Sequence, residues 1–274
     1  MPEGDVLRRT AAALDRALAG EVLVRSELRW PSVAGIDLVG RAVLCTVPYG
    51  KHLFTRFDDG RSLHTHLRME GSWRIMATGT PSATARAATV RAVLGTADRT
   101  AVGDRLGMVD VVRTRDERAL VAHLGPDVLA DDFPADGLGT ALERWTSRSA
   151  APVVEVLLDQ TVAAGIGTIY AAESLFARGI WPWTPADAVS DPASLLMTAR
   201  VLMQRSVAAV SPTATGETGK GRTTRVHGRT GLPCRRCGTP VRQGVARKPP
   251  QERPVWYCPT CQSEGRPTEG RPIG

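Results

Sequence analysis

Four of the five cysteines fall in two pairs, Cys234-x2-Cys237 and Cys258-x2-Cys261, with twenty residues between the pairs. Paired knuckles of this kind can bring four thiolates to one tetrahedral zinc, and such a site has no open position for water. The spacing therefore calls for one structural zinc ion; a redox dithiol is the competing reading. It also limits what the intervening chain can be. Twenty residues must leave the ion and return to it, which describes a β-hairpin stapled at its base. Arg242, Arg247, Lys248 and Arg253 lie in that stretch, so the hairpin is expected to present cations to phosphates. The fifth cysteine, Cys45, sits alone in an apolar run and reads as a buried thiol. This distribution argues against a disulfide framework.

The formal net charge is +7, and lysine occurs only at Lys51, Lys220 and Lys248, so arginine carries the excess. A basic balance on this scale points to nucleic acid first and an anionic membrane surface second; arginine-rich codon usage is the bland alternative. No apolar run is long enough to span a bilayer, and "DVLRR" followed by an amphipathic pattern is not a signal peptide. The expected location is cytoplasmic, at the nucleoid.

Leu7, Ala11, Leu14 and Leu18 share one helical face, with Asp5 placed to cap the start and Gly20 the end. Short β-type runs follow: "EVLVRSEL", "RAVLCTV", "KHLFTRF", "SLHTHL", "GSWRI", "VRAVL" and "GMVDVV". Gly, Asp and Pro punctuate them, which predicts a β-sandwich or barrel. From about Ala119 to Val210 the patterns turn helical, beginning at "LGPDVLADDF" and including "APVVEVLLDQ", "TIYAAESLFARG" and "PASLLMTARVLMQRSVAAV". The expected division is residues 1–118, 119–225, 226–264 for the cysteine module, and a disordered tail over 265–274.

Four further stretches carry chemistry. "MPEG" places a proline where removal of Met1 would expose a secondary amine, next to the carboxyl of Glu3. "AAGIGTIY" offers backbone N–H groups at a helix N-terminus, a ready phosphate site; glycine-bearing helical hairpins are also common. In "YGKHLF" and "HTHLRMEG", Lys51 reads either as a solvated strand-end lysine or as a phosphate ligand. Arg68 and Met69 read either as ordinary loop and core residues or as a wedge pushed into a duplex where a base has left.

Taken in order, "MPEG", "YGKHL", "HLRMEGSWRI", "LGPDVL", "LLDQTVAAGIGTIYAAE", "HGRTGLPCRRCGTPV" and "ERPVWYCPTCQ" resemble the formamidopyrimidine-DNA glycosylase/endonuclease VIII (Fpg/Nei) family, from Met1 to about Gln262. The resemblance implies an α+β chain: an N-terminal β-sandwich with a flanking helix, a helix–two-turns–helix domain that binds DNA, and a C-terminal zinc-finger β-hairpin. It implies a bifunctional DNA glycosylase and DNA-(apurinic or apyrimidinic site) lyase of base excision repair. The partner would be damaged DNA, the protein a monomer, and no redox cofactor or catalytic metal would be needed. Pro2 would be the nucleophile, attacking C1′ and forming a Schiff base. Glu3 would donate a proton. Lys51 and Arg253 would hold phosphates beside the lesion, Arg68 and Met69 would fill the vacated stack, and Gly167 and Thr168 would contact the backbone. The family usually has Asn where this chain has Thr168, whose hydroxyl has a shorter reach and a stiff χ1. "PEGDVLRR" is closer to the endonuclease VIII branch, so oxidised pyrimidines are expected over 8-oxoguanine. A non-catalytic zinc-ribbon DNA binder and a structural zinc protein both explain the charge and the cysteines. Neither gives Pro2–Glu3 or Lys51 a purpose.

Overall fold

The computed structural model describes residues 2–263; the expected disordered tail lies outside them. The chain divides into two compact units between His123 and Leu124.

In the first unit the elements run α1 (Gly4–Leu18), β1 (Arg25–Leu28), β2 (Val43–Tyr49), β3 (His52–Phe57), β4 (Arg61–His66), β5 (Ser72–Ala77), β6 (Val90–Gly95), β7 (Arg99–Asp104), β8 (Met108–Arg113) and α2 (Glu117–Val121). One antiparallel sheet has the order β2-β3-β4-β8 and the other β1-β6-β7-β5. Leu53, Phe57, Leu63 and Val109 from the first sheet, and Ala92, Leu94 and Ala101 from the second, form one core with Leu7, Ala11, Leu14 and Leu18 of α1. The apolar face of α1 is thus the one expected from its spacing. Its start differs: Glu3 is the N-cap, in extended backbone, and its carbonyl accepts from the Val6 and Leu7 N–H groups at 3.0 and 3.2 Å. Asp5 lies inside the first turn, so it is not the cap. Gly20, at φ +83°, follows the last turn and lets the chain reverse.

Strand β7 has no counterpart among the β-type runs of the sequence. "TADRTAVGDR" reads as turns because Asp98, Gly103 and Asp104 interrupt its apolar alternation. It becomes a strand because β6 and β5 flank it and take up its backbone hydrogen bonds. Cys45 is half-buried rather than buried. Helix α2 is tied down by Glu117, which accepts from Arg56 Nη2 at 2.7 Å and from Ser62 Oγ.

The second unit contains α3 (Leu138–Thr146), α4 (Val153–Leu158), α5 (Thr168–Arg178), α6 (Pro192–Ala208) and a hairpin of β9 (Arg242–Ala246) and β10 (Arg253–Tyr257). "LGPDVLADDF" is not the helical stretch that its pattern predicts. Asp127 and Ala164 form a short parallel bridge, with Val128 N–H donating to the Ala164 carbonyl at 3.0 Å. Its apolar residues Val128, Leu129 and Phe133 still enter the core, beside Tyr170, Leu175, Leu195 and Ala199. The hairpin packs on the aromatic cluster of Trp181, Trp183 and Tyr257. Gly244 on β9 permits this approach, since a Cβ there would stand 2.6 Å from the Trp183 ring. Among the described residues no helix is long and apolar enough to cross a membrane.

Candidate active site and metal centre

Pro2 and Glu3 precede α1 without a linker. Pro2 is half-buried and the Glu3 residue is 0% exposed. The Glu3 carboxylate makes no capping bond to the helix that it starts. Removal of Met1 would therefore leave a secondary amine next to a desolvated carboxyl group on a rigid element, the pairing that proton-coupled nucleophilic chemistry uses.

Lys51 lies in the tight β2–β3 turn, where Gly50 takes φ +55°. The β3–β4 register pairs His52 with His66, and the β4–β8 register pairs His66 with Met108. Antiparallel pairing thereby carries Lys51 and the Arg68–Met69 loop to the same end of the sheet. Both loop residues are exposed, and Met69 retains 66% of its surface. Met69 is therefore not a core residue. Arg68 adopts left-handed backbone, φ +55°, which L residues with a Cβ seldom take.

Behind that loop lies an array that sequence reasoning missed. His52 Nδ1 and His64 Nε2 are 2.8 Å apart. The His52 ring stacks on His64 and meets His66 edge-on, and Phe54 also stacks on His64. Burial, then the charges of His66, His64, His123 and Arg68, lower the His52 pKa to about 3. Burial, then Arg68, Lys51 and His64, lower that of His66 to about 4. Burial also lowers His64. The array is therefore neutral at physiological pH. "KHLF" and "HTH" contain the residues, but only the strand register stacks them.

In the second unit, Gly167 is the N-cap of α5 in extended backbone, and Thr168 opens the helix at 8% exposure. Gln160 holds the preceding turn: its Oε1 accepts from Gly165 N–H at 3.0 Å and its Nε2 donates to the Ile166 carbonyl at 2.8 Å. The N–H groups at the start of an 11-residue helix provide positive potential for an anion.

Arg253 opens β10, half-buried, with Nη1 donating to the Glu252 carbonyl at 2.9 Å. Of the four cations expected on the hairpin, Arg242 and Lys248 are exposed. Arg247 has a different task. Its N–H donates to Glu155 Oε1 at 2.9 Å and its Nη2 to the Leu158 carbonyl at 3.0 Å. It anchors the hairpin tip to α4 rather than presenting a free fork to phosphate.

Cys234, Cys237, Cys258 and Cys261 converge, with all four sulfurs within 4.8 Å of one another. Cys237 and Cys258 are 3.5 Å apart and Cys234 and Cys261 3.9 Å. A tetrahedron with metal–sulfur bonds of about 2.3 Å has edges of about 3.8 Å, so these residues are positioned to chelate one metal ion. The Arg236 and Cys261 N–H groups point at the sulfurs of Cys234 and Cys258, at 3.4 and 3.5 Å. Two buried residues absent from the expected site hold this module on α5. Gln262 accepts from Cys258 N–H at 2.8 Å and donates to the Ile180 carbonyl at 3.0 Å. Glu173 accepts from the N–H groups of Arg225, Val226 and His227 at 2.7, 2.8 and 2.9 Å. Both lie in stretches that were read for cysteines and glycines, and side-chain-to-backbone bonds across tens of residues leave no periodic signal.

The formamidopyrimidine-DNA glycosylase N-terminal domain family matches residues 1–113, and the formamidopyrimidine-DNA glycosylase H2TH domain family matches residues 124–216. The chain is 42% identical to the probable endonuclease 8 2 of Streptomyces coelicolor, over 100% of this chain and 98% of that protein. It is 40% identical to the DNA-(apurinic or apyrimidinic site) lyase Nei2 of Mycolicibacterium smegmatis, over 96% and 99%. Identity is 33% to the formamidopyrimidine-DNA glycosylase of Paracoccus denitrificans, again over 96% and 99%. The fold is similar to that of the Lactococcus lactis formamidopyrimidine-DNA glycosylase solved with DNA containing an apurinic/apyrimidinic (AP) site, with a TM-score of 0.79 at 22% identity, covering 95% and 99% of the two chains. With both family domains in place and full-length relatives of this similarity, the chain belongs to the formamidopyrimidine-DNA glycosylase/endonuclease VIII family.

Proposed function

We propose that this protein is a bifunctional DNA glycosylase and AP lyase of base excision repair, acting on oxidised pyrimidines in damaged DNA through Pro2. The observation that carries the reading is Pro2 beside the fully buried Glu3 at the first turn of α1. Once Met1 is removed, the freed Pro2 nitrogen attacks C1′ and the glycosidic bond breaks, with Glu3 supplying the proton that opens the sugar or releases the base. The resulting iminium draws electrons from C2′. Loss of the C2′ proton expels the 3′ phosphate, a second elimination expels the 5′ phosphate, and water frees the proline. An α-amino group has a pKa of roughly 8; a secondary amine is more basic, so burial or nearby cations must lower it to leave a useful neutral fraction at physiological pH.

Lys51, Arg253 and the start of α5 at Gly167 and Thr168 are assigned to phosphates, and Arg68 and Met69 to the gap left by the flipped base. Phosphate contacts and wedge together offset the few kcal/mol that flipping costs. The cysteine cluster is assigned one structural zinc, whose role is to hold β9 and β10 so that Arg253 is presented. Pyrimidine preference is favoured by similarity: the endonuclease 8 relatives share 39–42% of residues with this chain and the formamidopyrimidine-DNA glycosylases 30–34%.

Borohydride trapping tests the reading. Duplexes carrying 5-hydroxyuracil or thymine glycol should yield a covalent adduct, Pro2→Gly should lose most of it, and 8-oxoguanine opposite cytosine should react more slowly. Absence of an adduct with every lesion, or full trapping by Pro2→Gly, overturns the amine mechanism. Faster excision of 8-oxoguanine overturns the branch assignment.

A further inference from the structure

We propose that His66 is a positioning residue: its ring Nδ1 accepts the Arg68 N–H and thereby holds the Arg68–Met69 tip in the turn that keeps Met69 exposed. The bond is 2.8 Å long. It spans two residues, so it closes a small ring that a free loop would not keep. The conformation it closes is unfavourable without help, because Arg68 sits at φ +55°, where its own Cβ is crowded.

The surroundings leave that tip one arrangement. Leu67 is buried, and its carbonyl accepts from Gly71 N–H at 2.9 Å, pinning the base of the loop. The His66 carbonyl accepts from Gly107 N–H at 2.9 Å, tying β4 to the loop before β8. Gly107 gives the Arg68 side chain its room: a Cβ at position 107 would stand 1.9 Å from Arg68 Cγ. The aliphatic stem of Arg68 thus lies over Gly107 while its amide is held by His66.

Only a neutral His66 with its proton on Nε2 can accept at Nδ1. The ring is set for that form. Burial first, then its near neighbours Arg68, Lys51 and His64, disfavour a charged imidazole there. The array behind it is ordered in the same sense. His64 Nδ1 is buried and makes no hydrogen bond, while His64 Nε2 and His52 Nδ1, 2.8 Å apart, share one in which one of the two rings donates. Stacked neutral rings then back the loop from beneath.

The consequence for binding rests on the repair reading. A wedge that is already set before DNA arrives does not have to be ordered on binding, and pre-setting lowers that entropic cost. His66 acts through Arg68 and Met69 and does not itself take part in bond breaking.

The test compares His66→Asn with His66→Gln. Asn Oδ1 lies where His Nδ1 does and can still accept the amide; Gln places its oxygen one carbon too far. Amide exchange by NMR on the free protein should show Arg68 protected in wild type and His66→Asn. Exchange should be about tenfold faster in His66→Gln and His66→Ala, as expected for loss of one hydrogen bond, with core amides of β3 and β4 unchanged. On duplexes with 2-aminopurine opposite the lesion, measured at saturating protein, the unstacking signal should fall in His66→Gln and be retained in His66→Asn. Equal Arg68 exchange in the Asn and Gln variants, or an unchanged rate in His66→Ala, overturns the proposal. The exchange arm contains no DNA, so it stands even if trapping shows that the protein is not a glycosylase.

Discussion

Glu173 should be one of the most sensitive positions outside the candidate active site. Its residue is 3% exposed, and its carboxylate receives three consecutive backbone N–H groups where the chain enters the cysteine module. Burial pushes its carboxyl above the usual range, while the three donors from His227, Val226 and Arg225 favour the anion. In Glu173→Ala all three donors lose their acceptor. Val226 is fully buried, so its N–H alone costs about 1–3 kcal/mol when unpaired. Water can reach the half-buried Arg225 and His227, so each of these adds about 0.5–1 kcal/mol. These three donors account for about 2–5 kcal/mol, and the cavity left behind adds about 1 kcal/mol more, for a loss of about 3–6 kcal/mol. Glu173→Gln should be milder. Its carbonyl oxygen keeps Val226 and His227, which both bond Oε1, but its NH2 meets the Arg225 N–H, for a loss of about 1–2 kcal/mol. Urea unfolding followed by circular dichroism gives the ranking, and amide exchange at Val226 locates it. If Glu173→Ala falls within about 0.5 kcal/mol of wild type, or Glu173→Gln is as damaging as Ala, the acceptor argument is wrong.

Further predictions concern acid, metal and DNA. His52 and His66 have folded pKa values of about 3 and about 4 against an ordinary 6.5, with His64 lowered as well. The unfolded chain therefore binds more protons below pH 6.5. Stability is full above that value and is lost as pH falls toward 4, by up to about 1.4 kcal/mol per pH unit for each histidine; a urea midpoint that stays constant from pH 7 to pH 4.5 would contradict this. Purified protein should contain one zinc per chain by elemental analysis, and Cys258→Ser should release it and weaken DNA binding while leaving Pro2 intact; metal-free wild-type protein with normal affinity refutes the site. Arg253→Ala should weaken DNA binding and flatten the salt dependence by about one phosphate contact. Arg247→Ala should instead loosen the hairpin tip with little change in that slope, and equal slopes for the two variants would reverse their assigned roles. Glu3→Gln should abolish excision of a damaged base but spare cleavage at a preformed abasic site; loss of both activities would mean that Glu3 serves the lyase step too.

The sequence alone carried the signals that are local or covalent. The two knuckles specify a four-sulfur cluster because their spacing is sufficient to close it. The leucine stripe of α1 specifies its buried face because a helix repeats every few residues. Pro2 beside Glu3 is legible because adjacency in the chain is adjacency in space. Signals that depend on distant partners were not legible. Strand β7 exists because two neighbouring strands accept it, although its own residues resemble turns. "LGPDVLADDF" has helical spacing but is held extended at Asp127 by a bridge to Ala164. Arg247 reads as a phosphate ligand from its charge, but its guanidinium donates to the Leu158 carbonyl, 89 residues away. The neutral histidine array and the triple acceptor at Glu173 arise only when strand register and chain crossing bring remote groups together and exclude water. Composition fixes how many polar groups a chain has; tertiary structure decides which of them lose their solvent and must find one another.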